Sequence, residues 1–219
     1  TAPISPVLSS RAAVQVKRYD PSGRAVSREV VALFQRDAQT KGAERDYVII
    51  ETLLNTGLRA SEFCAVNVGD VRNKSRLYVQ PDVMKNGRGR FVPLNVRVQD
   101  MLRKWIGHKM AALHESIEDG APLFVTKGGR RLTRQDLTQS IVEKWMVRAG
   151  LVTTKDGLAV ALYSAHSLRH TCFKRMRERG VSLEVIQKIA GHKSLASTGV
   201  YTEATEQEID EAVHVLSIG

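Results

Sequence analysis

Two cysteines in 219 residues, Cys64 and Cys172, exclude a disulfide-stapled secreted scaffold and fit a reducing compartment. No uninterrupted apolar run reaches the ~18–20 residues that a membrane helix needs. A helical membrane protein is therefore excluded, and a cytoplasmic one is expected. Residues 1–24 carry no secretory leader pattern. Aromatics are scarce at 5%, and a phosphate-cradling Gly-x-x-x-x-Gly-Lys-[Ser/Thr] loop is missing. Acidic residues are outnumbered: 23 Asp and Glu stand against 33 Lys and Arg, a net charge of +10. Hydrophobic residues at 42% and charged residues at 26% are ordinary for a globular chain, which rules out disorder throughout. A basic globular chain of this length, one domain with an extension, favours a polyanionic partner.

The charge is unevenly placed. Residues 202–219 hold no Lys or Arg, while Glu203, Glu206, Glu208, Asp210 and Glu211 give that segment −5. Residues 1–201 are left with 33 basic against 18 acidic side chains, or +15. Two surfaces with different partners are implied, the simpler reading being a solvated acidic helix end. At the other end, residues 1–24 contain three of the six prolines and no helical period, so they read as a linker or arm. The chain opens on Thr1 rather than Met, and a further segment upstream is expected.

From Ser27, an N-cap type of residue, the pattern turns helical with Val30, Leu33 and Phe34 on one face. A second helix is expected over 44–56, with Gly57 as its C-cap, and a short helix after Arg59. Residues 76–80 alternate, and Asn86-Gly87 marks a tight turn, so 76–94 reads as a β-hairpin with a basic tip. A long helix should run from about Arg97 to His114, and Leu123–Val125 reads as a further short strand. Thr133-Arg-Gln-Asp136 resembles a capping box and opens a helix that ends before Gly150. Helices over 167–179, 183–190 and 195–201 follow, punctuated by Gly180 and Gly191. Ile209, Ala212, Val213 and Leu216 place an apolar stripe at helical spacing in the tail. The expected fold is mainly α with one small antiparallel β-sheet (α+β).

Several motifs carry chemistry suited to a phosphodiester. Arg59 lies in Thr56-Gly-Leu-Arg-Ala-Ser-Glu62, and Lys85 sits at the hairpin turn ahead of Val92-Pro-Leu94. His166-Ser-Leu-Arg169-His170 opens a helix, Gly191-His192 follows another, and Tyr201 comes nine residues later. In this order and approximate spacing, the motifs resemble the catalytic domain of the tyrosine recombinase (phage integrase) family, over about residues 27–205. The hairpin Met84-Lys85-Asn86 departs from the family habit of glycines around the lysine, so the alignment there rests on Val92-Pro-Leu94. Cys172-Phe-Lys174 departs from the usual Phe-Ala-Thr and shifts no catalytic position.

The resemblance implies a site-specific DNA recombinase acting on double-stranded DNA without metal or nucleotide. It implies that Tyr201 attacks the scissile phosphate, forming a 3′-phosphotyrosine and releasing a 5′-hydroxyl that attacks a partner strand. Arg59 and Arg169 would clamp the non-bridging oxygens, a task suited to a planar, permanently charged donor fork. By the same resemblance, His192 contacts the phosphate, Lys85 protonates the leaving oxygen and His166 accepts the tyrosine proton. Glu62 and His170 support the site from behind. Residues 25–201 form the catalytic domain, and the family's N-terminal core-binding domain would lie outside this chain, leaving it with weak DNA affinity alone. Residues 202–219 would form a tail helix docking on a neighbouring protomer of a DNA-bound tetramer or on its own body. Accessory directionality factors are possible further partners. Arg88, Arg90, Lys127, Arg130, Arg131 and Arg134 are the candidate DNA contacts, the 127–134 segment foremost because helix N-termini and arginines both favour phosphates.

Blander readings exist for each residue: Arg59 as a helix-end cation, Lys85 as a solubilising hairpin lysine, Tyr201 as core. Zinc at His166, His170 and Cys172 lacks a second ligand pair. Residues 168–191 also pass as a helix-turn-helix, so a non-catalytic DNA-binding module is an alternative. A type IB topoisomerase or telomere resolvase is another, since both use an Arg/Lys/His/Tyr set. Truncation after Glu206 is expected to impair assembly or recombination more than DNA binding. Parallel gel-shift and strand-exchange assays check this, and equal loss of both would mean the tail merely folds the domain.

Overall fold

The computed structural model describes residues 44–80, 89–148, 151–155, 158–161 and 163–191, together with Ala32 and Arg36. The expected arm, the first helix apart from helical Ala32 and Arg36, the hairpin tip, the 195–201 helix and the acidic tail lie outside the described residues. Helix α1 (Glu44–Thr56) buries Val48, Ile49, Ile50, Leu53 and Leu54, so it is apolar on more than one side. That demands neighbours on two sides. They are α4 (Val96–Ala111) and α6 (Ala165–Glu178).

Gly57 ends α1 in the left-handed region at φ +62°, its N–H donating to the Leu53 carbonyl at 3.0 Å. The turn feeds two short helices, α2 (Ala60–Ala65) and α3 (Val68–Val71). Strands β1 (Arg76–Val79) and β2 (Arg90–Pro93) pair antiparallel with Leu77 opposite Val92. Burial alternates along β1, with Leu77 and Val79 inward and Arg76 and Tyr78 outward, as a one-faced hairpin requires. Asn95 caps α4 by accepting from the Val98 N–H at 2.9 Å. The helix stops at Ala111, short of the expected His114, whose φ of +51° cannot continue it.

Leu123–Val125 is not a strand. Leu123, Phe124 and Val125 are all buried, which an alternating strand against one core face would not allow. Phe124 lies between Phe63 (ring centroids 5.3 Å apart) and Trp105 (5.5 Å), so the run fills the core as an irregular segment held by single bridges at Pro122 and Val125. The capping box forms as expected. The Thr133 N–H donates to Asp136 Oδ2 at 2.8 Å, and the Asp136 N–H to Thr133 Oγ1 at 3.1 Å. Beyond it the backbone widens into a π-helical stretch, Asp136–Glu143, before tightening into α5 (Lys144–Arg148).

A second antiparallel hairpin, β3 (Val152–Lys155) with β4 (Leu158–Ala161), corrects the expectation of a single sheet. Its signal was in view: β-branched Val152, Thr153 and Thr154 precede Asp156-Gly157, a tight-turn pair. Helix α6 follows Ser164, and α7 (Leu183–Ala190) follows Ser182, whose hydroxyl accepts from the Val185 N–H. Gly180 and Gly191 are left-handed at φ +79° and +66°, so both glycines expected to break the helices do so. The layers are pinned by buried Asp46, which accepts from Lys144 Nζ at 2.6 Å, Trp145 Nε1 at 2.8 Å and Arg45 Nη2 at 2.8 Å.

Gly57 is where α1 and α6 meet most tightly. A Cβ there would stand 2.7 Å from the Phe173 ring and 3.4 Å from Cys172 Sγ, besides straining a positive φ. Gly57→Ala is expected to cost about 2–4 kcal/mol, the sum of left-handed strain and overpacking. In a thermal melt that is a fall of roughly 5–15 °C in Tm. An unchanged midpoint would show that neither the positive φ nor the approach of Phe173 constrains this position.

Candidate active site

Glu62 is the charged residue at the centre. It sits in the first turn of α2 with no side-chain exposure, three residues after Arg59. Its Oε2 accepts the Arg59 backbone N–H at 2.8 Å, and its Oε1 accepts Arg59 Nη1 at 2.7 Å. From β2, Arg90 donates to both oxygens, Nη1 to Oε1 at 2.9 Å and Nη2 to Oε2 at 2.8 Å. From α6, Arg169 Nη1 approaches Oε2 to 4.0 Å. Burial by itself would raise the Glu62 carboxyl. Hydrogen bonds and charge from Arg90, then those from Arg59, outweigh it and hold the carboxyl at about 2.

The same three arginines converge on the carboxyl end of α7. Arg90 Nε donates to the Ile189 carbonyl at 2.7 Å, Arg169 Nη2 to Ala190 at 2.7 Å, and Arg59 Nη2 reaches Gly191 at 3.4 Å. Those carbonyls end the helix, where backbone acceptors lack partners and the dipole is negative. Arg169 also donates to the Gly57 carbonyl and lies over the Phe173 ring, 4.8 Å from its centroid. The α1 C-cap, the α2 start, the hairpin and the α7 corner are thereby tied together.

Beside this cluster opens a pocket of about 850 Å³, lined by Arg59, Arg169 and His166 on one wall. The start of the 133–148 helical segment forms the facing wall, with Arg134, Gln135 and Gln139. Arg59 keeps 31% side-chain exposure there, whereas Arg169 keeps 2%. His166 is exposed, and its ring meets buried His170 edge-on at 4.4 Å. Spacings of three and four residues place His166, Arg169 and His170 on neighbouring faces of α6.

The structure thus gathers Arg59, Glu62, His166, Arg169 and His170 from two helical segments, the start of α2 and α6. Lys85, Arg88, His192 and Tyr201 lie outside the described residues. Among the expected DNA contacts, Arg134 lines the pocket and Lys127 is exposed. Arg130 is exposed and paired with Asp136 at 2.9 Å. Arg90 and Arg131 are turned inward. Arg90 is 8% exposed and bonded to Glu62 and Ile189, which does not suit an outer phosphate contact. Arg131 donates to the Cys64 and Ala65 carbonyls and to Asn67 Oδ1 at 2.6 Å, closing the end of α2. Residue type and cluster membership had suggested a surface role for both. Gln135 and Gln139 were missed, because a polar residue near a helix start carries no mark of the wall it will face.

Burial pushes the Cys64 and Cys172 thiols up to about 12, so neither is a ready thiolate. Among the described residues, no three His, Cys, Asp or Glu side chains gather as a metal site. No helix there is long and apolar enough to cross a membrane.

Comparison with known proteins bears directly on this arrangement. The sequence profile described as "Phage integrase family" matches residues 25–208. The chain belongs to the phage integrase family. Tyrosine recombinase XerC of Mycobacterium leprae (strain TN) is 33% identical over 198 residues, covering 87% of this chain and 63% of that protein. Tyrosine recombinase XerD of Oceanobacillus iheyensis is 32% identical over 183 residues, 84% of this chain and 58% of its own length. The chain spans about three-fifths of the length of these curated relatives. In fold it matches the XerA recombinase (TM-score 0.68, 22% identity, 87% of this chain and 64% of that one). It also matches the Tn1549 transposon integrase solved with a circular intermediate DNA (TM-score 0.70, 21% identity, 92% and 67%). The expected tyrosine-recombinase catalytic-domain fold, mainly helical, is the fold observed, with two small antiparallel sheets where one was expected.

Glu62 generates a pH prediction. Its carboxyl lies at about 2 against an ordinary 4.5, so the stability it brings is complete above about 4.5 and drains as pH falls towards 2. Glu62→Gln leaves three arginines, Arg169 among them fully buried, short of a carboxylate and is expected to cost about 3–5 kcal/mol at neutral pH. The gap between variant and wild type should narrow as pH drops through that window in urea titrations. A constant gap would mean the lost energy is packing rather than charge.

Proposed function

We propose that this family member is a site-specific DNA recombinase that cuts and rejoins strands through a covalent phosphotyrosine. The observation that carries the reading is the convergence of Arg59 and Arg169, far apart in sequence, with His166 on one pocket. Two guanidinium groups and an imidazole around a cleft suit a phosphodiester better than a neutral or cationic substrate. The resemblance of this chain to XerC and XerD, named tyrosine recombinases, points the same way. So does its fold likeness to an integrase held on DNA.

In the proposed step, Tyr201 Oη attacks phosphorus and the P–O5′ bond breaks. His166 takes the phenol proton, and Lys85 supplies one to the departing 5′-oxygen, so charge and protons balance. A phenol with an ordinary pKa of ~10 is a weak nucleophile at neutral pH. The reaction therefore depends on Arg59 and Arg169 making the phosphate electrophilic and drawing off charge that builds on its non-bridging oxygens. His192 adds a hydrogen bond to the same oxygens. The phosphotyrosine conserves the bond, so the 5′-hydroxyl of a partner strand can reverse the step with no nucleotide consumed. Arg134, Lys127 and Arg130 extend the cationic surface along the duplex. The 202–219 tail joins protomers into a tetramer on two sites, its Ile209, Val213 and Leu216 forming the docking face.

A nicked, end-labelled suicide duplex tests the reading with the intact protein. Wild type is expected to give a denaturation-resistant protein–DNA adduct, and Tyr201→Phe none. Arg59→Ala should lower the cleavage rate on the order of 100-fold or more, as for loss of one preorganised donor to a developing oxyanion. No wild-type adduct on the cognate site would leave a binding module. Relaxation of supercoiled DNA without joining of two duplexes would instead indicate a topoisomerase.

A further inference from the structure

The arginine cluster contains one member that the pocket does not use. Arg59, Arg169 and Arg90 all surround Glu62, yet only the first two line the pocket. Arg90 spends its guanidinium elsewhere: Nη1 and Nη2 fork onto the two Glu62 oxygens, and Nε holds the Ile189 carbonyl. It comes from β2, whereas Glu62 is on α2 and Ile189 on α7, so one side chain joins three elements.

We infer that Arg90 is a positioning residue for strand cleavage, holding Glu62 and the last turn of α7 so that Arg59 and Arg169 present to the scissile phosphate. The inference rests on the recombinase reading above.

The physical argument is competition for one carboxylate. An arginine prefers to grip a carboxylate with two parallel N–H bonds. Arg90 takes that fork, and Arg59 is left with one side-chain contact to Glu62, Nη1 to Oε1 at 2.7 Å. Its other terminal nitrogen reaches only the Gly191 carbonyl, at a long 3.4 Å, while the side chain keeps 31% exposure in the pocket. Without the Arg90 fork, Glu62 would be available to chelate Arg59 or Arg169 fully, pulling a phosphate donor back into the protein. Arg90 therefore works as a decoy that keeps the carboxylate occupied. Its Nε bond to Ile189 matters as well. Ile189, Ala190 and Gly191 offer three successive carbonyls, one to each arginine, so the α7 corner and the clamp share a single register.

Lysine preserves the charge of Arg90 but cannot make the fork, so Arg90→Lys is the informative variant, and Arg90→Gln tests charge separately. The intact protein is assayed in single turnover on three suicide duplexes with an ordinary, a methylphosphonate or a 5′-bridging phosphorothiolate scissile linkage. Methylphosphonate replaces a charged non-bridging oxygen by methyl and lowers the demand for the clamp. The phosphorothiolate leaves as a thiolate that needs no proton, bypassing the general acid.

Arg90→Lys is expected to slow cleavage of the ordinary linkage on the order of 100-fold, the scale of an ångström-level misplacement. The deficit should shrink on methylphosphonate and persist on phosphorothiolate, with Arg90→Gln showing the same pattern. Wild-type rates in Arg90→Lys, an equal deficit on all three linkages, or rescue by phosphorothiolate would each overturn the inference. An equal deficit means general loss of structure, and phosphorothiolate rescue means that Arg90 acts through the hairpin and Lys85. Unfolding of both variants, seen by circular dichroism, would likewise make Arg90 a purely structural residue. A wild type that forms no Tyr201 adduct would fail the recombinase reading itself, which the Arg90 variants leave intact when only they misbehave.

Discussion

A single carboxylate with no solvent exposure, surrounded by three guanidinium groups, sets the constraint around which the rest of this domain is arranged. A buried anion is tolerable only when it is paired and hydrogen-bonded, and Glu62 accepts from two side chains and one backbone N–H. The balance is deliberately uneven. Three cations face one anion, and part of the excess is met by the carbonyl end of α7, whose dipole carries roughly half a negative charge. What remains positive opens towards solvent mainly through Arg59, at the wall of the pocket. An anion arriving there completes a charge pattern that the fold has left incomplete.

That constraint explains why otherwise separate elements meet. Gly57 must be left-handed to end α1 and turn the chain directly into Arg59, and its carbonyl then receives Arg169 from α6. Phe173, one turn on from Arg169, fills the space a side chain at Gly57 would need and supports the guanidinium from beneath. Gly191 ends α7 in the same left-handed way, which leaves the carbonyls of Ile189 and Ala190 pointing at the arginines. Two helix ends and one helix start therefore supply the backbone groups that hold the cationic side chains in place. The ion cluster depends on the caps, and the caps are where glycine is needed.

Much of this was legible in the sequence, for identifiable reasons. Helices with clear punctuation, such as 44–56 before Gly57 and 183–190 between Ser182 and Gly191, fall where periodicity and capping chemistry put them. The first hairpin was readable from alternation in 76–80, while the second passed unnoticed although Asp156-Gly157 marked it, because Val152-Thr-Thr-Lys155 and Leu158-Ala-Val-Ala161 do not alternate apolar with polar residues. Leu123–Val125 was misread because a short apolar run suits a strand and a core-filling loop equally well. At the candidate site, Arg59, Glu62, His166, Arg169 and His170 could be singled out because their motifs are local, and the fold brings them together. Arg90 and Arg131 were misplaced because clustering of arginines along the chain does not reveal whether each faces water or a buried acceptor.

By itself, then, the sequence determined the helical periods, the glycine stops, the basic body with its acidic end, and the identity of the residues in the family motifs. These are local properties, set within a turn or two of backbone. Only the tertiary structure decided how each arginine is used. Glu62 and Gly57 are remote in the chain from the three carbonyls at 189–191, and the partner of a guanidinium is whichever acceptor the packing brings within about 3 Å. Arg59 remains partly exposed because Arg90 occupies the carboxylate beside it, and no spacing rule relates residue 59 to residue 90. That distinction between an arginine that grips the fold and one offered to an anion belongs to geometry.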